Sequence, residues 1–395
     1  MSVDYEISIL KTSTTNSFSE EDMKAYLTDK DDNVLVDPVV LSTLSGSSKI
    51  TNAKVIYKNS FTYNNSNEVQ THTYRLRVWL KNDVDLSKYT TKTDITDGTN
   101  ITLPSYSFKF KVNVNTYEKI SGADTLINLT DNKDSSGLYT ITHAADSTLQ
   151  IGTNESITEY RYRGASPKNY VTFNNEVWRI IGVFPVDDGT GNIENRIKIV
   201  RNESIGNNYW NTDEVLSTSS FNNWTGATLQ TRLNGTYLTG LTSEAQSMIN
   251  NAKYYLGGYK TANISKDVMY QYERKTNGYY YRTNPVSWIG KLAIMYASDY
   301  GYAASDECTS NLYAYSSSTC TSNNWLFNSA GQWTLPQYTD NNGSAFYVSA
   351  YGSMGATGVR ENLFNIRPTL YLTSSVKIAG GSGTSSDPYT LSVKE

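Results

Sequence analysis

Histidine is nearly absent from this chain of 395 residues; the two present, His72 and His143, fall in different regions. That leaves no His-pair spacing for a zinc site. No G-x-S-x-G elbow accompanies either, so the usual setting of a Ser-His-Asp triad is missing, and both read as surface histidines. Cysteine is as scarce: Cys308 and Cys320 stand in "DECTSNLYAYSSSTCTS". Their spacing is not the C-x-x-C of a redox pair. It reads as one disulfide closing a polar loop in an exported protein, with two free thiols as the other reading. Charge is sparse too, at 18% of residues against a usual figure of about 25%. The net charge is −4 and the pI about 5.4. No basic stripe for nucleic acid follows from that balance, and no polybasic patch for anionic lipid. No apolar run reaches the roughly 18 residues of a membrane-spanning helix. The start "MSVDYEISIL" lacks a basic stretch followed by an apolar one. A leader or anchor is therefore expected to have been removed.

What replaces charge is tyrosine, serine, threonine and asparagine. Tyrosine alone numbers 32, against 34 lysines and arginines together. That composition favours strands and exposed loops over long surface helices. Residues 1–118 alternate with period two at 5–10, 23–36, 53–63, 73–80 and 106–118. In the last stretch Phe108, Phe110, Val112 and Val114 share one face and Lys109, Lys111, Asn113 and Asn115 the other. "DKDDN" (29–33) is a hairpin turn. Short strands with polar turns predict an all-β sandwich. Residues 119–159 read as a linker with one or two short strands, and the second domain runs over 160–395. It opens on a hairpin whose turn is Asn174-Asn175. Two helices are predicted, over 225–238 with Thr225 as cap, and over 242–256 capped by Thr242 or Ser243. Strands are predicted again at 290–303, 331–338, 345–352 and 365–372. The fold class is therefore α+β.

The stretches "NYVTFNNEVWRIIGVF", "GKLAIMYASDYGYA", "NNWLFN", "WTL" and "IRPTLYLTSSVKIAGGSGTSSDPYTL" carry a resemblance. They are similar to bacterial and phage surface domains of the C-type-lectin fold, related in shape to formylglycine-generating-enzyme-like domains. The similarity covers 160–391. It implies a C-type-lectin-like domain with two helices and antiparallel sheets, preceded by an Ig-like sandwich spacer. Some proteins of that fold are variable proteins of diversity-generating retroelements in gut Firmicutes, and 333–372 resembles their diversified region. Enzymes of the fold act through cysteines or a metal; Cys308 and Cys320 match no such motif. The E-P-N and W-N-D signatures of calcium-dependent lectins are absent, and "DDGTGN" (187–192) and "DKDDN" read as turns, not calcium loops. Gly380, Gly381 and Gly383 lack the G-K-[ST] of a phosphate loop.

The segment "QYTDNNGSAFYVSAYGSMGATGVRENLF" (337–364) has the Tyr, Ser, Gly and Asn mixture of antibody-type binding loops. Its candidate contact residues are Tyr338, Asp340, Asn341, Asn342, Tyr347, Ser349, Tyr351, Met354, Arg360, Glu361, Asn362 and Phe364. Phe346, Val348, Val359, Ile366 and Leu370 are assigned to the core, and Arg367 to structural hydrogen bonding. A second candidate is Tyr279, Tyr280, Tyr281 and Arg282. The expectation is a non-enzymatic, extracellular recognition or adhesion protein without cofactor or metal. Its partner would be a protein or glycan on another surface. An enzyme of the formylglycine-generating type and a structural component of a surface fibre or phage particle are the rival readings.

Overall fold

The computed structural model describes residues 2–14, 17–48, 50–62, 71–89, 105–115, 121–130, 136–212, 220–277, 280–281 and 283–393. The chain divides into two compact units, Met1–Lys119 and Ile120–Glu395.

The first unit contains β1 (Ser2–Lys11), β2 (Met23–Asp29), β3 (Val34–Val40), β4 (Ala53–Thr62), β5 (Tyr74–Leu80) and β6 (Phe108–Asn115). They pair as two three-stranded antiparallel sheets, β4-β1-β6 and β3-β2-β5. The period-two alternation explains the core between them. Tyr5, Ile7 and Ile9 of β1, Ile56 of β4, and Met23, Ala25 and Leu27 of β2 are buried in one cluster. The turn at 29–33 forms because Asp29 spends its carboxylate on its own backbone. Its Oδ1 accepts from the N–H of Asp31 and of Asn33, each at 2.9 Å, and Asp32 takes φ 63°. Phe108, Phe110 and Val112 share one face of β6 and Lys109 and Lys111 the other; the side chains of Asn113, Val114 and Asn115 lie outside the described residues.

The second unit begins with α1 (Gly122–Ile127), β7 (Gly137–His143), β8 (Ile157–Arg163), β9 (Tyr170–Phe173), β10 (Glu176–Asp187), β11 (Ile193–Arg201) and β12 (Asn207–Asn208). Its middle holds α2 (Thr228–Arg232), α3 (Ser243–Ser247), β13 (Ala252–Tyr255), α4 (Lys266–Arg274), β14 (Ser287–Gly290), β15 (Leu292–Ile294), α5 (Ala297–Tyr302) and α6 (Ser318–Thr321). It closes with β16 (Gln332–Gln337), β17 (Ser344–Val348), β18 (Met354–Gly358), β19 (Phe364–Asn365), β20 (Pro368–Tyr371), β21 (Val376–Gly380) and β22 (Thr390–Val393). A large antiparallel sheet runs β15-β20-β11-β10-β8-β7, with β9 paired to β10. A second sheet runs β12-β19-β16-β17-β18. The expected hairpin between β9 and β10 turns at Asn174 and Asn175, with φ 55° and 58°. At Gly182 the bulged β10 approaches β8 so closely that a Cβ would stand 2.1 Å from the Tyr160 carbonyl oxygen, which only glycine permits.

Several expectations need correction. The described residues within 119–159 do not form a linker: α1 packs on β10, β11 and β21, and β7 pairs along its length with β8. The helix predicted over 242–256 stops at Ser247, although Thr242 caps it as expected by accepting from Ala245 N–H at 3.2 Å. Its apolar positions Met248, Ile249, Ala252 and Leu256 are all buried. From Ala252, however, the chain is the strand β13, paired with β14, because a Lys-Tyr-Tyr run suits a pleated surface. The other predicted helix starts at Thr228 after Ala227, not at Thr225, and widens over Leu233–Tyr237 around Gly235, whose φ is −100° and ψ −105°. The stretch 290–303 is strand only at Gly290, where β14 ends, and over Leu292–Ile294. It then becomes α5, where the Asp299 carboxylate accepts from Tyr296 N–H at 2.9 Å.

Candidate functional site

The candidate segment folds as β16, β17 and β18 with two connecting hairpins. One face of this sheet is core: Phe346, Val348 and Met354 are each 1% exposed or less. Met354 is therefore not a contact residue; it stands opposite Val348 on the inward row. Tyr338 also turns inward, half-buried with its ring centroid 5.8 Å from that of Phe346. The misplacement of Met354 has a clear cause. A turn of unknown length resets the parity of period two, so the face of a residue beyond it cannot be counted from the strand before.

The other face carries Tyr347, Thr357 and Phe364. Tyr347 and Phe364 stack at 4.6 Å with 14° between planes, over the edge of Trp333, whose Nε1 donates to Asn208 O at 3.0 Å. Asn362 Nδ2 donates to Thr357 Oγ1 at 2.7 Å, and the exposed Glu361 lies against Gly358. β17 has five residues, so its two hairpin tips stand roughly 17 Å apart. Asp340, Asn341 and Asn342 are exposed at one tip. Tyr351 projects at the other with 80% of its surface free. Arg360 is set aside from this row, its guanidinium 5.0 Å from the centre of the Phe221 ring.

Buried groups hold each tip. At the first, Asn222 Nδ2 reaches the carbonyls of Tyr338, Asn341 and Ser344 at 2.9, 3.1 and 2.8 Å, and its N–H donates to Asn342 O at 3.1 Å. Asn284 ties Asn222 Oδ1 to Gln337 Oε1, at 3.1 and 2.7 Å, and Gln337 Nε2 donates to Leu256 O at 2.6 Å. Sequence reasoning missed these amides, because a lone Asn in "SFNNWTG" carries no sign of a partner more than a hundred residues away. At the second tip, Gly352 has φ 93° and its carbonyl accepts from Tyr300 OH at 2.9 Å. Ser349 Oγ and Ser353 Oγ are 2.8 Å apart, and Ser349 Oγ also accepts from Tyr351 N–H at 3.2 Å. Ser349 thus shapes the turn. Cys308 and Cys320 are disulfide-bonded and buried, and the loop they close places Thr321 and Tyr315 against Gly352. Of the second candidate, Tyr279 and Arg282 lie outside the described residues, and Tyr281 N–H donates to Gln337 Oε1 at 2.9 Å.

The strongest concentration of titratable groups lies elsewhere. Glu159, Glu273 and Asp299 are buried with Arg161, Lys198 and Arg274. Arg161 donates to Glu159 and to Asp299 at 2.8 Å, Lys198 to Asp299 at 2.5 Å, and Tyr270 OH to Glu159 at 2.8 Å. Burial raises the Asp299 carboxyl, but Lys198 and Arg161 outweigh it and hold it below the usual carboxylate range. Burial likewise raises Glu159, and Arg161 with His143 more than reverses that. Glu273 goes the other way, because burial exceeds what Arg274 and Ser298 return. His143 is not a surface histidine: it stacks on Tyr270 at 3.7 Å, with Nε2 3.4 Å from Glu159. Perturbed acids in a cluster invite a catalytic reading. The void lined by Glu159, Tyr270 and Arg274 is about 10 Å³, room for a single water at most, and three acids balance three bases, as in a structural ion cluster. His72 is exposed and stacks on Phe61 at 4.3 Å. Among the described residues no three His, Cys, Asp or Glu side chains are placed to hold a metal ion. "DDGTGN" is a hairpin turn in which Asp187 and Asp188 accept backbone N–H groups of their own loop. No family model, characterised protein or solved structure matches the chain.

Proposed function

We propose that this chain is an extracellular recognition protein whose second unit displays a binding face over 338–364. In this reading the second unit is a C-type-lectin-like scaffold similar to the variable proteins of diversity-generating retroelements, and the first is an Ig-like spacer. One observation carries the proposal: at both hairpin tips buried groups fasten the backbone while side chains reach solvent, although Asn341 also braces its turn by accepting from Gly343 N–H at 2.9 Å. Asn222 and Tyr300 bind carbonyls, and Asp340, Asn341, Asn342, Tyr351 and Glu361 remain exposed. A loop held by its backbone keeps its shape whatever its side chains are, which is what a surface that changes specificity requires. The contact set is Asp340, Asn341, Asn342, Tyr347, Tyr351, Glu361, Asn362 and Phe364. Aromatic area and neutral hydrogen bonding dominate it. The partner is a protein or glycan on another surface.

Sequencing this locus in sibling strains tests the proposal. Substitutions should accumulate at those exposed positions and spare Asn222, Phe346, Val348 and Met354. An even spread over 160–391 would overturn it.

A further inference from the structure

Among the described residues, one sheet of the first unit ends on a strand with a single neighbour. β6 is the end strand of β4-β1-β6, and β1 is its one neighbour among the described residues. Residues 107–112 are exposed along both faces. The register sets Phe110 opposite Ile9 and Val112 opposite Ile7. Residues directly opposite in an antiparallel pair share a face. Phe108, Phe110 and Val112 therefore continue the face that buries Ile7 and Ile9, yet they are 39%, 44% and 52% exposed. The opposite row of β6 carries Lys109 and Lys111, both exposed and without an ion pair among the described residues.

We propose that the edge of β6 is a strand-acceptor site, and that its occupant is an extended segment of another protein in which apolar and acidic residues alternate. A free edge offers unpaired N–H and C=O groups along its length, which only another extended backbone satisfies in series. Period two then fixes what the incoming strand must carry. Its apolar residues lie beside Phe108, Phe110 and Val112, and its alternate residues face Lys109 and Lys111. Acidic groups there gain cross-strand attraction, and basic ones are repelled. The same lysines disfavour a second copy of this chain. Antiparallel β6 to β6 pairing centred on Phe110 sets Lys109 against Lys111 of the other copy. A bilayer is a poor fit as well, because burying the phenylalanine face turns both lysines away from the lipid headgroups.

The test is fluorescence anisotropy with the full chain and two labelled synthetic peptides, EVEFEVE and KVKFKVK, at about 150 mM salt to screen long-range charge. With a net charge of −4 the chain attracts the lysine peptide non-specifically, so preference for the glutamate peptide must be local. We expect EVEFEVE to bind at least about tenfold more tightly. Exchanging both lysines, Lys109→Glu with Lys111→Glu, should reverse the preference without disturbing the fold, since both are exposed. Val112→Pro should weaken both peptides by removing an edge N–H. Unchanged preference in the charge-exchanged variant overturns the proposal. So does absence of binding up to about 1 mM, or a dimer in sedimentation equilibrium that Val112→Pro abolishes.

Discussion

Two side chains show how single residues position the rest. Asn222 is 1% exposed and fastens the 338–344 loop through its amide and its own N–H. Asn222→Ala leaves several carbonyls short of their donor and should cost about 1–3 kcal/mol. Hydrogen exchange should then quicken at the amides of 339–344 while Phe346 and Val348 stay protected. Lys198, wholly buried, is one of two cations that keep Asp299 ionised. Lys198→Met should cost about 3–5 kcal/mol, because it strands a buried charge without removing it. The pH dependence has a definite sign. A carboxyl whose folded pKa is depressed adds stability that is complete above the unfolded value near ~3.9 and is lost as pH falls towards the folded one. Removing Lys198 lets burial raise Asp299, so the acid loss should begin at higher pH. Urea midpoints measured between about pH 3 and 7 would show the shift; an unchanged acid limb would show that Arg161 alone suffices.

At the scale of elements, local pattern was a good guide wherever the deciding contact is local. Asn174-Asn175, the Thr242 cap and the alternation of β1 were readable because their partners lie within a few residues. Met248, Ile249, Ala252 and Leu256 share an apolar spacing and are all buried, yet the helix ends at Ser247. Pairing with β14, more than thirty residues on, decides that stretch and leaves no local trace. α5 was unreadable for the same reason. Its residues are all buried, so it lacks a polar face to reveal its period. The loop 308–320 is an element made by its covalent closure. Both sulfurs are buried, and the closed loop sets Thr321 and Tyr315 against Gly352. Replacing both cysteines with serine should cost about 3 kcal/mol, the value for a loop near this size. Exchange should rise at residues 349–353, beside the loop, and not at 339–344. Equal effects at both hairpins would show the loop to be a general staple with no particular hold on the Tyr351 tip.

For the molecule as a whole, the boundary matters more than either fold. The sequence reading put the second domain at residue 160, because its recognisable stretches begin there. Burial shows why that start is too late. α1 supplies Ala123 and Leu126 to the second core, and β7 supplies Leu138. β7 also brings His143 against Tyr270 and Glu159, at the margin of the buried ion cluster. That cluster joins residues 159, 161, 198, 273, 274 and 299, so no window of sequence could reveal it. A fragment that starts at 160 cuts β8 short, removes Glu159 from the ion cluster, exposes the partners of Leu126 and Leu138, and strips what remains of β8 of its outer neighbour. A fragment that starts at 120 keeps a complete core. The first should be insoluble or should unfold well below the second, and 120–395 should melt in one cooperative step. Differential scanning calorimetry on both fragments decides it. If the fragment from 160 melts as high as the one from 120, then α1 and β7 contribute no stability and the shorter unit is the true domain.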